Sequence, residues 1–178
     1  MFFSIVIPAF NRPDDLRDLL ESIKIQGNYD VEIIICEDFS PERDLIELVV
    51  LKYKKTFPNL KFIKNKKNIG YDANLRKVIS KASGKYVILC GNDDLFTENA
   101  LDIIEFKLKK YNPVVLLRSY KSFYKKIQTD TKFNTHRYVK EDKLVQVGKK
   151  DLAWLFYRSV LVSGLVIDRP LAISYASD

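Results

Sequence analysis

Residues 4–38 read SIVIPAFNRPDDLRDLLESIKIQGNYDVEIIICED, and the order of patterns in this stretch decides the class of fold. Residues 4–8 form a short apolar run of the kind that makes a strand buried on both faces. Residues 13–25 then carry Leu16, Leu19, Leu20 and Ile23, the i, i+3, i+4, i+7 spacing of one helical face. Pro13 suits a first helical turn, where Asp14 and Asp15 complement the helix dipole. Gly27-Asn28 ends the helix. Residues 31–36 return to an apolar strand interrupted only by Glu32. A strand, a helix and a second strand in this order imply a right-handed crossover in a mostly parallel sheet.

The alternation continues outward. Ser40-Pro41 reads as the start of a helix, Ser40 as its N-cap, that buries Leu45, Leu48 and Val49. Residues 60–64 read as a third strand. A helix over 71–82 follows, with Leu75, Val78, Ile79 and Ala82 on one face and Ser83-Gly84 closing it. Residues 86–90 are a fourth strand. Thr97 is the expected cap of a helix whose Leu101, Ile104, Leu108 and Tyr111 share a face, and residues 114–117 are a fifth strand. Beyond residue 117 the pattern changes. Residues 118–143 are basic and aromatic and in part alternate like an edge hairpin; residues 152–157 suggest a short helix and 163–168 a last strand, with no helix expected after it. His136 reads as an exposed loop residue and Trp154 as a helix packing residue.

The chain has 178 residues, 47% hydrophobic, 12% aromatic and 30% charged. That excludes wholesale disorder, a collagen-like repeat and a disulfide scaffold. Thirty Lys and Arg against 23 Asp and Glu give a net charge of +7, which favours phosphorylated ligands, anionic lipid or nucleic acid without choosing among them. The two cysteines, Cys36 and Cys90, sit inside apolar runs without CxxC spacing, so they read as core residues of a protein in a reducing compartment. The start, MFFSIVIPAFNR, lacks the basic segment of a signal peptide and is read as the first strand. No stretch approaches the roughly 20 apolar residues of a membrane span, and the expectation is a cytoplasmic protein.

In parallel sheets, ligands bind beyond the carboxyl ends of the strands. Strand one ends in Pro8-Ala9-Phe10-Asn11-Arg12. Proline removes a donor and stiffens the chain, Ala9 is small enough for a close approach to the backbone, and Asn11 and Arg12 can face a ligand. Strand two ends in Glu37-Asp38-Phe39-Ser40, where an aspartate can accept hydrogen bonds from a nucleobase or ribose. Asn68-Ile69-Gly70-Tyr71-Asp72-Ala73-Asn74 leads into the third helix; Gly70 permits a tight turn, and Asp72 and Asn74 lie near free backbone N–H groups suited to phosphate. Strand four ends in Gly91-Asn92-Asp93-Asp94. Adjacent carboxylates repel each other unless a hard cation such as Mg²⁺ or Mn²⁺ neutralises them, with phosphate and water completing its shell.

Taken together, these pieces resemble the family 2 glycosyltransferases, nucleotide-sugar-dependent enzymes of the A-type fold. The family's P-x-[YF]-N is matched by Pro8-Ala9-Phe10-Asn11, its acid-then-turn by Glu37-Asp38-Phe39-Ser40, and its N-x-G-x-x-x-N by Asn68-Ile69-Gly70 and Asn74. Its G-x-Y leading to a D-x-D-like motif is matched by Gly84-Lys85-Tyr86 and Asn92-Asp93-Asp94. The match spans about residues 3–105, with Asn92 where the family usually has the first aspartate. The resemblance implies a Rossmann-like (GT-A) three-layer α/β/α sandwich around a mostly parallel sheet. It implies a donor-binding domain over 1–117 and a partial, C-terminally truncated acceptor-side extension of the same domain over 118–178. Pro8 and Ala9 would flank the nucleoside, Asp38 the base, usually uracil, and Asp93 the ribose or donor sugar. Asp94 would bind Mn²⁺ or Mg²⁺. Asn11, Arg12, Ser40, Gly70, Asp72, Asn74 and Asn92 complete the expected donor-binding set.

The implied activity is metal-assisted, inverting hexosyl transfer from a nucleoside-diphosphate sugar, a UDP-sugar first, to a glycan or lipid-linked acceptor in surface polysaccharide synthesis. Residues 118–143 read first as a solvated edge hairpin, with contact at the anionic inner face of the membrane as the alternative. Asp151 and Asp168 are the acids nearest the acceptor side, but neither sits in a base motif. Two other readings are a donor-binding remnant without transferase activity and a single-stranded nucleic-acid module built on 118–143. The latter leaves acids at three strand ends facing phosphates, so nucleic acid is not an expected partner.

Overall fold

The structure is a computed structural model and describes residues 1–27, 29–117, 120–122, 134–136 and 163–177. In chain order its elements are β1 (Phe3–Ala9), α1 (Pro13–Lys24), β2 (Val31–Glu37), α2 (Arg43–Tyr53), β3 (Leu60–Lys64), α3 (Tyr71–Ile79), β4 (Tyr86–Leu89), α4 (Ala100–Tyr111), β5 (Val115–Leu117), β6 (Tyr120–Ser122), β7 (Asn134–His136), β8 (Leu165–Asp168) and α5 (Arg169–Ser177). Six strands form one sheet in the order β3-β2-β1-β4-β8-β5, and β6 and β7 pair separately. β1 runs parallel to β2 and β4, and β2 parallel to β3. β8 is inserted antiparallel between β4 and β5.

Alternation along β1 builds the two apolar layers. Phe3, Ile5, Ile7 and Ala9 face a core filled by Leu16, Leu19, Leu20 and Ile23 of α1, Ile46 and Val50 of α2, and Leu101, Ile104 and Leu108 of α4. Val6 faces a second core with Leu75, Val78 and Ile79 of α3 and Ala172 of α5. Among the described residues three helices therefore cover one face and two the other, giving the expected three-layer α/β/α arrangement. Every residue of β1 and β2 is buried, as the unbroken apolar runs require.

Several local expectations change. In α2 the buried residues are Ile46, Val50 and Tyr53, whereas Leu45 and Leu48 are exposed. The helix is apolar on more than one side, and the face that packs inward is that of Ile46, Val50 and Tyr53, at i, i+4 and i+7. Ser40 does not cap α2 through its side chain; only its carbonyl accepts, from the Arg43 amide. Thr97 likewise does not cap α4, which starts at Ala100 after Asn99 in a left-handed conformation. Instead the Thr97 carbonyl accepts from Gln26 Nε2 at 3.0 Å and ties α4 to the end of α1. A helix does follow the last strand: Pro170 sits in the first turn of α5, where it lacks no bond it could have made, and Ala172 packs into the second core. His136 lies in β7, opposite Tyr120, and not in a loop. The short helix expected over 152–157, with Trp154, lies outside the described residues.

Away from the strand ends that carry the acids, Glu32 is fully buried. It accepts from Ser4 Oγ, the Ser83 amide at 2.8 Å, Ser83 Oγ at 2.9 Å and Lys61 Nζ. The Gly84 amide donates to Ser4 Oγ at 2.8 Å, and a Cβ on Gly84 would lie 2.6 Å from the Phe3 carbonyl carbon. This close approach is the physical reason for glycine in the Gly84-Lys85-Tyr86 motif. Burial by itself would raise the Glu32 carboxyl, but the hydrogen bonds from Lys61, Ser4 and Ser83 outweigh it and hold it down at about 2, from an ordinary 4.5.

A carboxyl depressed in the folded state stabilises above its unfolded value and loses that contribution as pH falls toward its folded value. Between pH 4.5 and about 2, wild type should therefore lose about 3 kcal/mol through Glu32. Glu32→Gln should be less stable at neutral pH and show a shallower acid limb in urea denaturation. Superimposable acid limbs for the two proteins would show that Glu32 is not held as a carboxylate.

Candidate active site

The register of the parallel strands brings their carboxyl ends level. Ala9 pairs with Glu37 and Val6 with Leu89. The Asp38 amide donates to the Ala9 carbonyl at 3.0 Å, and the Cys90 amide to Val6 at 3.1 Å. The loops beyond these ends enclose an open cleft of about 800 Å³. Of the residues singled out from the sequence, Pro8, Ala9, Asn11, Arg12, Asp38, Gly70, Asn74, Asn92, Asp93 and Asp94 line it.

Ser40 and Asp72 do not line it. Ser40 is buried, and its hydroxyl has no hydrogen-bond partner among the described residues. Asp72 is exposed; it pairs with Arg76 at 2.9 Å and accepts from the Tyr175 hydroxyl at 2.9 Å, so it joins α3 to α5. Asp168 is at the opposite end of the sheet, beside Tyr86 at the start of β4, which removes it from the cleft. Asp151 lies outside the described residues.

Asp38 is buried and organises the loop before α3. Oδ1 accepts from Asn65 Nδ2 at 2.7 Å and from the Ile69 amide at 2.9 Å; Oδ2 accepts from the Gly70 amide at 3.0 Å. Two lone pairs per oxygen leave one on Oδ2 for a ligand. Asn74 Nδ2 donates to the Cys36 carbonyl at 2.8 Å, and Asn74 Oδ1 accepts from Asn65 Nδ2 at 3.0 Å. Lys77 Nζ donates to Asn65 Oδ1 at 2.6 Å. Asn65 is therefore the hub of a buried polar network behind the cleft. Its sequence context, a polar residue just past a strand among lysines, carries no signal of that role.

Glu37 is also buried and accepts from the Phe39 and Ser40 amides at 3.1 and 2.6 Å. It shapes the turn that presents Asp38.

The β1–α1 turn carries two consecutive residues at positive φ, Asn11 at 54° and Arg12 at 60°. Such backbone costs on the order of 1–2 kcal/mol per residue and persists only where the surroundings hold it. Here the Arg12 amide donates to Glu42 at 3.0 Å, and Asn92 Nδ2 donates to the Asn11 carbonyl at 3.0 Å. Asparagine in place of aspartate at position 92 thus has a structural reason: a carboxylate cannot donate to that carbonyl. The turn directs the Arg12 guanidinium onto Asp93, with which it forms an ion pair.

Asp93 and Asp94 fold back over Gly91. A Cβ on Gly91 would lie 2.8 Å from Asp94 Oδ2 and 3.1 Å from Asp93 Oδ1, so the missing side chain is what lets two carboxylates converge. Desolvation raises the Asp94 carboxyl; a hydrogen bond from Ser163 opposes it, the charge of Asp93 adds to it and Arg12 opposes it, with a net upward shift. Two converging oxygen-donor carboxylates fit a hard divalent ion that takes one or two protein ligands and fills its shell with phosphate oxygens. Among the described residues no third acidic, histidine or cysteine ligand joins them. Phe10, Asn68, Tyr71, Gly91 and Ser163 also line the cleft. Phe10 and Tyr71 are exposed there, two apolar ring faces suited to planar or saccharide ligands.

The six-stranded, mostly parallel sheet with helices on both faces matches the GT-A fold of solved glycosyltransferases. Residues 4–160 match the profile of Glycosyl transferase family 2, and the chain belongs to that family. An abequosyltransferase of Salmonella typhimurium is 30% identical over 118 residues, which are 65% of this chain and 35% of that protein. The first 349 residues of TarS from S. aureus superpose with a TM-score of 0.75 at 19% identity, covering 96% of this chain and 48% of that one. The same TarS fragment in complex with UDP-GlcNAc superposes with a TM-score of 0.60 at 25% identity, covering 66% of this chain and 34% of that one. The chain thus spans about a third to a half of the length of these relatives. Among the described residues no helix is long and apolar enough to cross a membrane.

Asp38→Asn should lower stability by about 2–3 kcal/mol, because a buried amide N–H would face the donors that Asp38 now satisfies. Urea denaturation at neutral pH measures this. An unchanged midpoint would mean that the 69–70 loop does not depend on the carboxylate.

Proposed function

We propose that this cleft binds a nucleoside-diphosphate sugar, a UDP-sugar first, and that the protein transfers the sugar to a glycan or lipid-linked acceptor. The observation that carries the reading is the convergence of Asp93 and Asp94 over Gly91, opposite Arg12, at the level ends of parallel strands. The family membership and the TarS fragment in complex with UDP-GlcNAc support it.

Each residue has a task in this reading. The remaining lone pair of Asp38 accepts a nucleobase N–H, which suits uracil. Phe10 offers a ring face to the base, and Pro8 and Ala9 let the nucleoside approach the backbone. Arg12 exchanges Asp93 for diphosphate oxygens. Asp94, with Asp93 beside it, holds Mn²⁺ or Mg²⁺. The bound ion supplies positive charge that stabilises the diphosphate as negative charge grows on it.

In the reaction, an acceptor hydroxyl oxygen bonds to the anomeric carbon while that carbon's bond to the diphosphate oxygen breaks. The electron pair leaves on the nucleoside diphosphate, and the hydroxyl proton passes to a base. Attack opposite the leaving group inverts the anomeric centre. Surface polysaccharide synthesis at the cytoplasmic face of the membrane is the setting we infer. The two free cysteines suit a reducing compartment, and the basic, aromatic composition of residues 118–143 suits anionic lipid around a lipid-linked acceptor.

UDP with Mn²⁺ at about a hundredfold excess over Kd should stabilise the protein by about 2.7 kcal/mol, or raise Tm by roughly 5–10 °C for a chain of this size. Asp94→Ala should abolish the metal-dependent part. No Tm shift for wild type with any nucleoside diphosphate and Mn²⁺ would overturn the assignment of the donor site.

A further inference from the structure

Ser163 belongs to the turn that leads into β8, far along the chain from the acids it meets. Its hydroxyl donates to Asp94 Oδ2, and the Gly91 amide donates to Ser163 Oγ at 2.6 Å. A hydroxyl has one proton and two lone pairs. With the Gly91 amide aimed at a lone pair, the proton is left for Asp94, so the chain of donors runs from amide to hydroxyl to carboxylate. The Asp94 amide closes the same turn on the Gly91 carbonyl at 3.3 Å. A Cβ on Gly91 would lie 3.4 Å from Ser163 Oγ, beside the two carboxylate oxygens. Three oxygen atoms from three side chains thus crowd over one missing methyl.

The topology explains how a residue so distant in sequence arrives there. β8 is antiparallel to β4, with Ile88 opposite Val166 and Tyr86 opposite Asp168. Its amino end therefore lies at the carboxyl end of β4, where the acids are. Gly164, at a φ of 123°, turns the chain from Ser163 into the strand.

We propose that Ser163 is a positioning residue of the donor site, whose hydroxyl, oriented by the Gly91 amide, holds the Asp94 carboxylate in place for the divalent ion that accompanies a nucleoside diphosphate. The proposal rests on the donor-site reading above. It makes the seating of β8 in the sheet a condition for a well-formed ion site, so that residues after 162 contribute to donor binding without belonging to the first hundred residues that carry the other acids. Hydrogen-bonding partners of metal ligands typically contribute tenfold to a hundredfold in metal affinity, and an effect of that order is expected here.

The test is calorimetric titration of UDP into the full chain with and without Mn²⁺, for wild type, Ser163→Ala, Ser163→Thr and Gly91→Ala. Ser163→Ala should weaken Mn²⁺-dependent UDP binding about tenfold or more and change metal-free UDP binding far less. Because it also removes the acceptor of the Gly91 amide, a lower metal-free Tm is expected, and the ratio of the two affinities is the readout. Ser163→Thr should restore the metal dependence, because it keeps the hydroxyl. Gly91→Ala, whose methyl group displaces the same oxygens from the other side, should reproduce the loss. Wild-type Mn²⁺ dependence in Ser163→Ala, or an equal loss of metal-free binding, would overturn the role of Ser163 while leaving the donor site intact. Absence of Mn²⁺-dependent UDP binding in wild type itself would overturn the donor-site reading and this inference with it.

Discussion

The Asp38 amide donates to the Ala9 carbonyl, and the Cys90 amide to Val6. These two bonds continue the parallel ladders of β1 just past its neighbours' ends, and the site depends on them. Because β1 is central and buried on both faces, a slip of one residue against either partner would turn its apolar side chains from one core to the other. The two cores therefore hold the register, and the register holds the acids of two strand ends at one height beside the β1–α1 turn.

On that frame the cleft is made by polar groups that spend most of their capacity on the protein. Asp38, Asn65 and Asn74 bond one another or nearby backbone. Asn92 ties the end of β4 to the β1–α1 turn, and Glu42 anchors the strained Arg12 backbone. What remains directed at the cleft is small in number: an acceptor on Asp38, the Arg12–Asp93 pair, and Asp94. In the proposed donor site only the Arg12–Asp93 pair would have to rearrange; the other polar groups are already held in place.

Glu32 shows the same economy in a purely structural place. A fully buried carboxylate would be costly alone, yet two serines, a lysine and a backbone amide surround it. It links β1, β2, β3 and the turn before β4, and so braces the strands whose other ends carry the site.

The sequence by itself determined the α/β class, the strands and helices of the first 117 residues, and the acids at the strand ends. Those features are written in local periodicity and in short motifs, and each is legible within about ten residues. Two kinds of feature were not. The inward face of α2 is chosen by its docking on the sheet among several apolar positions, so Leu45 and Leu48 lie outside, and the first turns of α2 and α4 begin three residues after Ser40 and Thr97. The roles of Asn65, Asn92 and Ser163 arise between residues far apart in sequence, through hydrogen bonds that exist only once the strands are paired. The antiparallel insertion of β8 and the packing of α5 are of the same kind. Local pattern records which face a residue prefers; only the assembled sheet decides which partner it meets there.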